Sequence, residues 1–528
     1  MQFNNELPRR SEEEYIKDQG LTIDYDAIAR RGFMTKEELL ISKWYGVYQQ
    51  RQIDDFMARI VIPGGKLTTR DARAVADASK KFSAGTVSIT TRQALQLHKM
   101  QLSLLPDFFK FVNDNNLSTF HGCGDVVRTI PACPLAETCK HARLNVLPYA
   151  VKALKVLTDM RDLDNLPRKL KINFSGCNAS CGQTYMNCVG VNAIESNING
   201  HIVKGFKVVI GGGMGWKAFV GQELFGFVKE DSITDVLRAI ALLFRDHGNR
   251  SNRAKSRLKF ILDNLGIEKC RELVLKYLSD EHKNTDGILI QTVEDIHQDS
   301  LPARPLTEQD PVGTNNKVSV RILIPKGELP AESLISIADL ADRYGNTNIY
   351  TDNRQNLMIH GVDPSDVANV KKEITLLEYK TDGYFGLDDI VCCCGTTYCP
   401  KAVAETRKLF DKIHKLVSQP KYASIRYTGT ISITGCPNSC SPYRIADIGF
   451  RGAKVRDGDS TVEGYEVLIG GDQRLHGVKL GDYSTDTCIT VTEKILDAYL
   501  AESATFRFIN DFVRSNDIDF FRNLVAQN

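Results

Sequence analysis

Arg59-Ile60-Val61-Ile62-Pro63-Gly64-Gly65-Lys66-Leu67 returns as Arg321-Ile322-Leu323-Ile324-Pro325-Lys326-Gly327-Glu328-Leu329, 262 positions later. Thr91-Arg92-Gln93-Ala94-Leu95-Gln96-Leu97-His98 returns as Asn353-Arg354-Gln355-Asn356-Leu357-Met358-Ile359-His360, again at 262. Further on, Cys133-x5-Cys139 matches Cys393-x5-Cys399 at 260, and Cys177-x3-Cys181 matches Cys436-x3-Cys440 at 259. Val209-Ile210-Gly211-Gly212 matches Leu468-Ile469-Gly470-Gly471, also at 259. Motifs that recur in one order at a nearly constant offset mark an internal duplication, and this reading fixes the architecture before any single element is assigned.

Each half reads as a small unit followed by a larger one. The small unit has a β-rich apolar run (57–62, 318–324), an Ala- or Leu-rich helical pattern (72–82, 334–343) and a second strand leading into the Arg-Gln motif. The larger unit carries the cysteines, an extended run (169–174, 431–434), a strand ending in glycines, and closing helices (233–245, 491–500). The expectation is an internally duplicated α+β fold, with two ferredoxin-like modules and two mixed sheet-and-helix modules related by a pseudo-twofold axis. The boundaries expected are an N-terminal arm at 1–42, a ferredoxin-like module at 43–117 and a cysteine-bearing module at 118–290. A linker at 291–316, with Pro302, Pro305 and Pro311 and no periodicity, leads to the second pair of modules at 317–379 and 380–528.

Composition sets outer bounds. A chain of 528 residues, 42% hydrophobic and 25% charged, is long enough for several domains, and its formal charge of +2 offers no case for nucleic-acid or membrane partners. The start, Met1-Gln2-Phe3-Asn4-Asn5-Glu6, lacks an apolar signal segment behind a basic start, and no apolar run reaches bilayer length. A cytoplasmic protein with reduced thiols is expected.

Eight of the fourteen cysteines fall into the repeated pattern. Four thiolates from two turns, Cys393, Cys399, Cys436 and Cys440, can hold one cubic iron–sulfur cluster. Structural zinc usually takes tighter knuckles than a five-residue gap, disulfides need an oxidising compartment, and unrelated buried thiols are the remaining alternative.

In these cysteine motifs the chain resembles the assimilatory sulfite and nitrite reductases. The resemblance implies that Cys393, Cys399, Cys436 and Cys440 carry a [4Fe-4S] cluster, which Cys440 also bridges to the iron of a siroheme. It implies too that the larger modules are siroheme/cluster modules and that an N-terminal arm wraps the body. Siroheme is a polycarboxylate, so its binding site must supply cationic and amide donors. Arg92, Gln96 and His98, with Arg354, Gln355 and Asn356 from the second half, lie on repeated strand-to-loop motifs suited to that task. A solvated edge strand or local salt bridges is the plainer reading of each.

The halves differ where chemistry is expected. Arg128 corresponds to Asp388, and Lys169 and Lys171 correspond to Thr428 and Thr430. The substrate-binding residues of the family match Arg59, Arg128, Lys169 and Lys171, so the resemblance implies a catalytic centre formed across the repeat, with cations from the first half and thiolates from the second. Lys169 and Lys171 alternate about Leu170 and so share one face of an extended chain. The run Gly211-Gly212-Gly213-Met214-Gly215 lacks dinucleotide-loop spacing, which leaves a close approach to the cofactor edge or a simple tight turn.

The function expected is six-electron reduction of sulfite to sulfide. Lys171 stands where the plant-type nitrite reductases of the family carry Asn, and an added cation suits a dianion. Reduction of nitrite to ammonia is the second reading, and a siroheme electron-transfer protein without turnover the third. With no flavin or nicotinamide segment in the sequence, electrons are expected from a separate partner, a ferredoxin or a flavoprotein subunit. Cys133, Cys139, Cys177 and Cys181 keep the full spacing, whereas most single-chain relatives have lost them. A second [4Fe-4S] cluster in the first half is therefore expected, with four spare thiols as the alternative.

Overall fold

The protein is described by a computed structural model covering residues 12–298 and 310–526. In chain order the strands of the first half are β1 (Val47–Gln49), β2 (Phe56–Ile60), β3 (Lys66–Thr68), β4 (Thr86–Ile89), β5 (Leu95–Met100), β6 (Ile172–Ser175), β7 (Val189–Ile198), β8 (His201–Ile210), β9 (Gln222–Lys229) and β10 (Ile288–Leu289). Those of the second half are β11 (Val318–Ile322), β12 (Glu328–Pro330), β13 (Asn348–Thr351), β14 (Leu357–Val362), β15 (Val391–Cys392), β16 (Ile431–Thr434), β17 (Ile448–Asp457), β18 (Ser460–Ile469) and β19 (Val478–Ser484).

The small modules are built by exchange. One sheet runs β1-β2-β5-β4-β12 and its counterpart β11-β14-β13-β3, so each half gives one short strand to the other half's sheet. β3 pairs antiparallel with β13, Leu67 opposite Ile349, and β12 pairs with β4, Leu329 opposite Val87. All four of these apolar side chains are buried. Exchanging backbone hydrogen bonds as well as apolar surface binds the halves into one body, which short edge strands alone would not achieve.

Above these sheets lie the helices Thr69–Phe82 and Ala331–Tyr344, packed on each other. The first starts where Thr68 accepts from the Asp71 N–H and Asp71 reaches back to the Thr68 N–H, a reciprocal cap. Its inner face is Ala72, Val75, Ala76 and Ser79, small enough for close approach to Leu334, Ile337 and Ala338 in a core the two modules share.

Each larger module has a long antiparallel pair, β7 with β8 and β17 with β18, joined in parallel by β6 and β16 respectively. The 259 offset maps β6 onto β16, β7 onto β17 and β8 onto β18. β6 and β16 are buried at every position, and each runs directly into a Cys-x3-Cys loop, so the cysteine loops hang from the rigid centre of the sheet.

Within the arm, the helix Glu12–Asp18 is fixed by Lys17 to Asp125 at 3.3 Å and by Arg250 to Glu14 at 2.6 Å. Of the proposed linker, Pro302 and Pro305 lie outside the described residues. The flanking parts pack against the first-half cysteine module, where the Arg143 guanidinium meets buried Asp295 and the Thr314 N–H donates to the Thr138 carbonyl. Among the described residues no helix is long and apolar enough to cross a membrane.

His98 and His360 are repeat mates, and both lie flat on a tyrosine ring: His98 on Tyr398 at 4.1 Å, His360 on Tyr350 at 3.8 Å. Burial holds each imidazole down to about 3. The unfolded chain takes up protons below about 6.5 and the folded one does not until far lower, so the stability these neutral rings lend is complete above that value and is lost on acidification. At pH 5 each should cost about 2 kcal/mol. Urea midpoints measured at pH 7 and pH 5 should fall less for His360→Gln than for the wild type, and equal falls would remove this residue from the acid response.

Candidate active site

The second-half thiols meet on one side of the β16 loop. The Cys393 N–H donates to the Ile433 carbonyl, and its Sγ accepts from the Gly435 N–H at 3.1 Å. A single helical turn, Gly395–Tyr398, carries the chain to Cys399, and Cys436 and Cys440 follow β16. Burial, followed by the neighbouring Cys440, pushes the Cys393 thiol up to about 12. Cys399 and Cys436 are raised in the same way, by burial and by other thiols of the set. Sulfurs that raise one another this way lie close together and are stabilised as thiolates by a shared cationic metal core. Yet no group of three or more His, Cys, Asp or Glu among the described residues is placed to hold a single metal ion. The five-residue gap between Cys393 and Cys399 is longer than a zinc knuckle takes and suits ligands spread over the corners of a cluster.

Cys392, Cys393 and Cys394 point three ways. Cys392 belongs to β15 and the module core, and its N–H donates to Gln355 Oε1. Cys394 stands near Cys393, Cys399 and Cys440, but its first-half counterpart is Pro134. Cys393 alone shares its backbone bond with the repeat mate, since the Cys133 N–H donates to Phe174 as that of Cys393 does to Ile433.

Across from Cys440 the first half contributes a group of cations. Arg59 from β2 and Arg128 both donate to the Gly122 carbonyl, and Arg59 also reaches Cys123 Sγ at 3.4 Å. Arg92, in the turn between β4 and β5, is held by Asn173 and Asn187 at 2.9 and 3.2 Å and by the carbonyls of Thr129 and Ile172. Burial, then Arg128 and other cations, brings Arg92 down to about 9. Leu170 is fully buried and bridges Val127, while Lys169 and Lys171 on either side of it stay partly open. Burial and Arg257 hold Lys169 at about 7, and burial with Lys169 and Arg92 keeps Lys171 well below the ordinary lysine range. Cys440 pulls both lysines the other way, which sets them near that thiol.

The Nε atoms of Arg59, Arg92, Arg128 and Arg257 are buried without a hydrogen-bond partner among the described residues. A buried cationic set with unspent donors is costly on its own and becomes favourable around an anionic ligand. Donors of this kind, facing four thiols, fit a carboxylate-rich iron tetrapyrrole joined to a cluster.

Two first-half segments hold the Cys436–Cys440 loop. Thr91 Oγ1 donates to the Cys440 carbonyl at 2.9 Å, and the Met214 carbonyl accepts from Ser439 Oγ and Arg444 Nε. The glycine run is a tight turn: a Cβ on Gly212 would lie 2.3 Å from the Tyr185 carbonyl oxygen, and Gly211 has φ +87°.

Several expected cofactor contacts are spent inside the fold. Arg354 pairs with buried Asp389, which also accepts from Asn356 at 2.8 Å and from the Phe385 N–H. Gln355 donates to the Ile89 carbonyl, and its first-half mate Gln93 bonds Ala132 and Thr351, so this pair ties the halves together. Gln96 donates to Met57 Sδ, and His98 is stacked on Tyr398. Gln96, His98, Arg354, Gln355 and Asn356 all make such contacts within the fold, and Arg92 of the six belongs to the cationic set with a buried Nε that has no partner among the described residues. Asp389→Ala should strand the Arg354 charge and cost about 3 to 5 kcal/mol in urea unfolding. A loss under 1 kcal/mol would mean that the pair is solvated.

Sequence reading missed Asn173, Asn187, Cys188 and Arg257. Arg257 donates to Cys188 Sγ at 2.9 Å, and although burial raises this thiol, Arg257 brings it below the ordinary value. The repeat mates of Asn173, Asn187 and Cys188 are Ser432, Ala446 and Asp447, so the asymmetry that singled out Lys169 and Lys171, applied along the strands, points to these three as well.

This arrangement, a duplicated frame with thiolates from one half opposed to cations from the other, defines a redox protein for small anions. Residues 123–282 and 386–527 match the family described as nitrite and sulphite reductase 4Fe-4S domain, and residues 48–114 and 312–377 match the nitrite/sulfite reductase ferredoxin-like half domain. The chain belongs to the siroheme and [4Fe-4S] nitrite and sulfite reductase family. It is 29% identical to the assimilatory ferredoxin-dependent nitrite reductase of Haloferax mediterranei, over 85% of this chain and 80% of that one. It is 28% identical to a sulfite reductase [ferredoxin] of Mycolicibacterium paratuberculosis, over 86% and 85%. The solved structure of the Mycobacterium tuberculosis NirA protein superposes with a TM-score of 0.85 at 25% identity, over 98% of both chains.

Proposed function

We propose that the chain is a sulfite reductase, with Cys393, Cys399, Cys436 and Cys440 holding the [4Fe-4S] cluster that Cys440 joins to siroheme. Siroheme with its cluster supplies single-electron reduction at iron. Around it, Arg59, Arg128, Lys169 and Lys171 draw in the anion and offset its charge, while Arg92 engages the cofactor carboxylates. Lys169, held at about 7, can keep and release a proton near neutral pH, as a group that supplies protons to departing oxygens must. Sulfite takes up six electrons and eight protons to give hydrogen sulfide and three waters, so proton delivery is as much a part of the task as electron supply.

Relatives named for nitrite and for sulfite are about equally similar, and the preference for sulfite rests on Lys171. A second cation beside Lys169 suits a dianion better than nitrite. Nitrite reduction to ammonia is the second reading. Ferredoxin is the proposed donor, in keeping with the names of those relatives. With a viologen reductant the holoenzyme should convert sulfite to sulfide, and sulfite or cyanide should perturb its siroheme bands. Bands that ignore both, with no sulfide formed, would leave an electron carrier instead.

A further inference from the structure

The first half carries a second set of thiols in the same backbone frame. Cys133, Cys139, Cys177 and Cys181 line one small recess with His141, Ala142, Gly176 and Ala179, and no carboxylate enters it. The bonds that shape the catalytic thiol loops recur here. Besides the Cys133 N–H to Phe174, the Ala142 N–H donates to Cys139 as that of Ala402 does to Cys399, and the Arg143 N–H to Gly176 as that of Val403 does to Gly435. Even the cap from the opposite half recurs, with Asn353 Nδ2 donating to the Cys181 carbonyl at 2.7 Å where Thr91 serves Cys440.

What does not recur is the surrounding anion site. The mate of Arg59, Arg321, lies over the Tyr384 ring at 3.6 Å, and the mate of Arg92, Arg354, is neutralised by Asp389. Asp388 stands in place of Arg128 and is paired with Arg426. Arg354 and Asp388 thus carry countercharges in the region where their first-half mates, Arg92 and Arg128, keep buried Nε atoms without a partner among the described residues. A polycarboxylate placed there would meet Asp388 and Asp389.

We propose that Cys133, Cys139, Cys177 and Cys181 hold a second [4Fe-4S] cluster, and that this cluster carries no tetrapyrrole. Both ends of the inter-repeat segment shelter it. Asp295 pins Arg143, Gln298 bonds Asn178 at 2.8 Å, and Thr314 bonds Thr138, so the cysteine loops are braced from outside as well as from the sheet. Such bracing fixes ligand geometry in a way that spare thiols do not require.

Iron, acid-labile sulfide and siroheme are to be measured on the anaerobic holoenzyme after reconstitution with iron and sulfide. About eight cluster irons per siroheme are expected, with one siroheme per chain. Reduced protein should show a cluster EPR signal that cyanide leaves unchanged, because that cluster touches no siroheme. Cys177→Ser should lose about half of the cluster iron and keep the siroheme absorption. About four cluster irons per siroheme in the wild type, or zinc in their place, would overturn the proposal, and this count decides the matter even if the variant fails to fold. Two sirohemes per chain would overturn its second clause. The proposal rests on the cofactors of the family and not on the choice of sulfite, so a nitrite-selective enzyme with eight cluster irons would leave it standing.

Discussion

Cys393→Ser is expected to remove the catalytic cluster and the siroheme absorption together. The thiol is built into its loop by the Gly435 N–H on its sulfur and by the Ile433 carbonyl on its own N–H, so no neighbour can take its place without unpicking the strand that carries it. With Cys393 gone only Cys399, Cys436 and Cys440 would remain to hold a cluster, and siroheme coupled to that cluster would be lost with it. Cys392→Ser should keep both signals, because Cys392 already donates to the Cys393 carbonyl at 3.3 Å, a bond a hydroxyl can make equally well. Cys394→Ser should keep them too, though its thiol lies near the same set. The measurement is the absorption spectrum and iron content of the three variants purified anaerobically. A Cys393→Ser protein with wild-type iron, beside a bleached Cys394→Ser protein, would move the ligand one residue along the chain.

Lys171→Asn should lower sulfite turnover by one to two orders of magnitude, about 1.4 to 2.8 kcal/mol of transition-state stabilisation. Asn retains a hydrogen-bond donor and gives up the charge. Burial with Lys169 and Arg92 holds Lys171 well below the ordinary lysine range, so an anion that enters beside it stabilises its protonated form. Nitrite turnover should fall less, or rise, since a monoanion is already matched by the remaining cations. Arg59→Ala and Arg128→Ala should instead weaken both substrates, as either anion needs a cation near iron. A chemical reductant keeps donor docking out of the rates. Equal losses for sulfite and nitrite in the Lys171 variant would remove the charge argument and leave only the family assignment.

The duplication was legible because related halves keep short motifs in register, and the 262 offset maps β2, β3, β4 and β5 onto β11, β12, β13 and β14 residue by residue. The strand exchange was not. β3 and β12 are three residues long, and nothing in Lys66-Leu67-Thr68 says which sheet it joins, a choice made by pairing with residues some 280 positions away. The partners of the Arg-Gln motif were hidden for a related reason. Arg92 and Arg354 look alike along the chain, but one faces Thr129 and the other Asp389, and that repeat difference gives Arg354 a buried ion pair that Arg92 lacks. The placement of Lys169 and Lys171 on one side of buried Leu170 could be read because the alternation follows from extended backbone. Arg257 heads a helix far from any motif, and only the fold brings it to Cys188.

The most direct test is to measure kcat/KM for sulfite and for nitrite on one preparation of reconstituted wild-type holoenzyme, with the same chemical reductant, quantifying sulfide and ammonia as products. The cation set around Lys171 predicts a higher kcat/KM for sulfite, with sulfide formed in proportion to sulfite consumed. A higher value for nitrite, with little or no sulfide, would contradict the account.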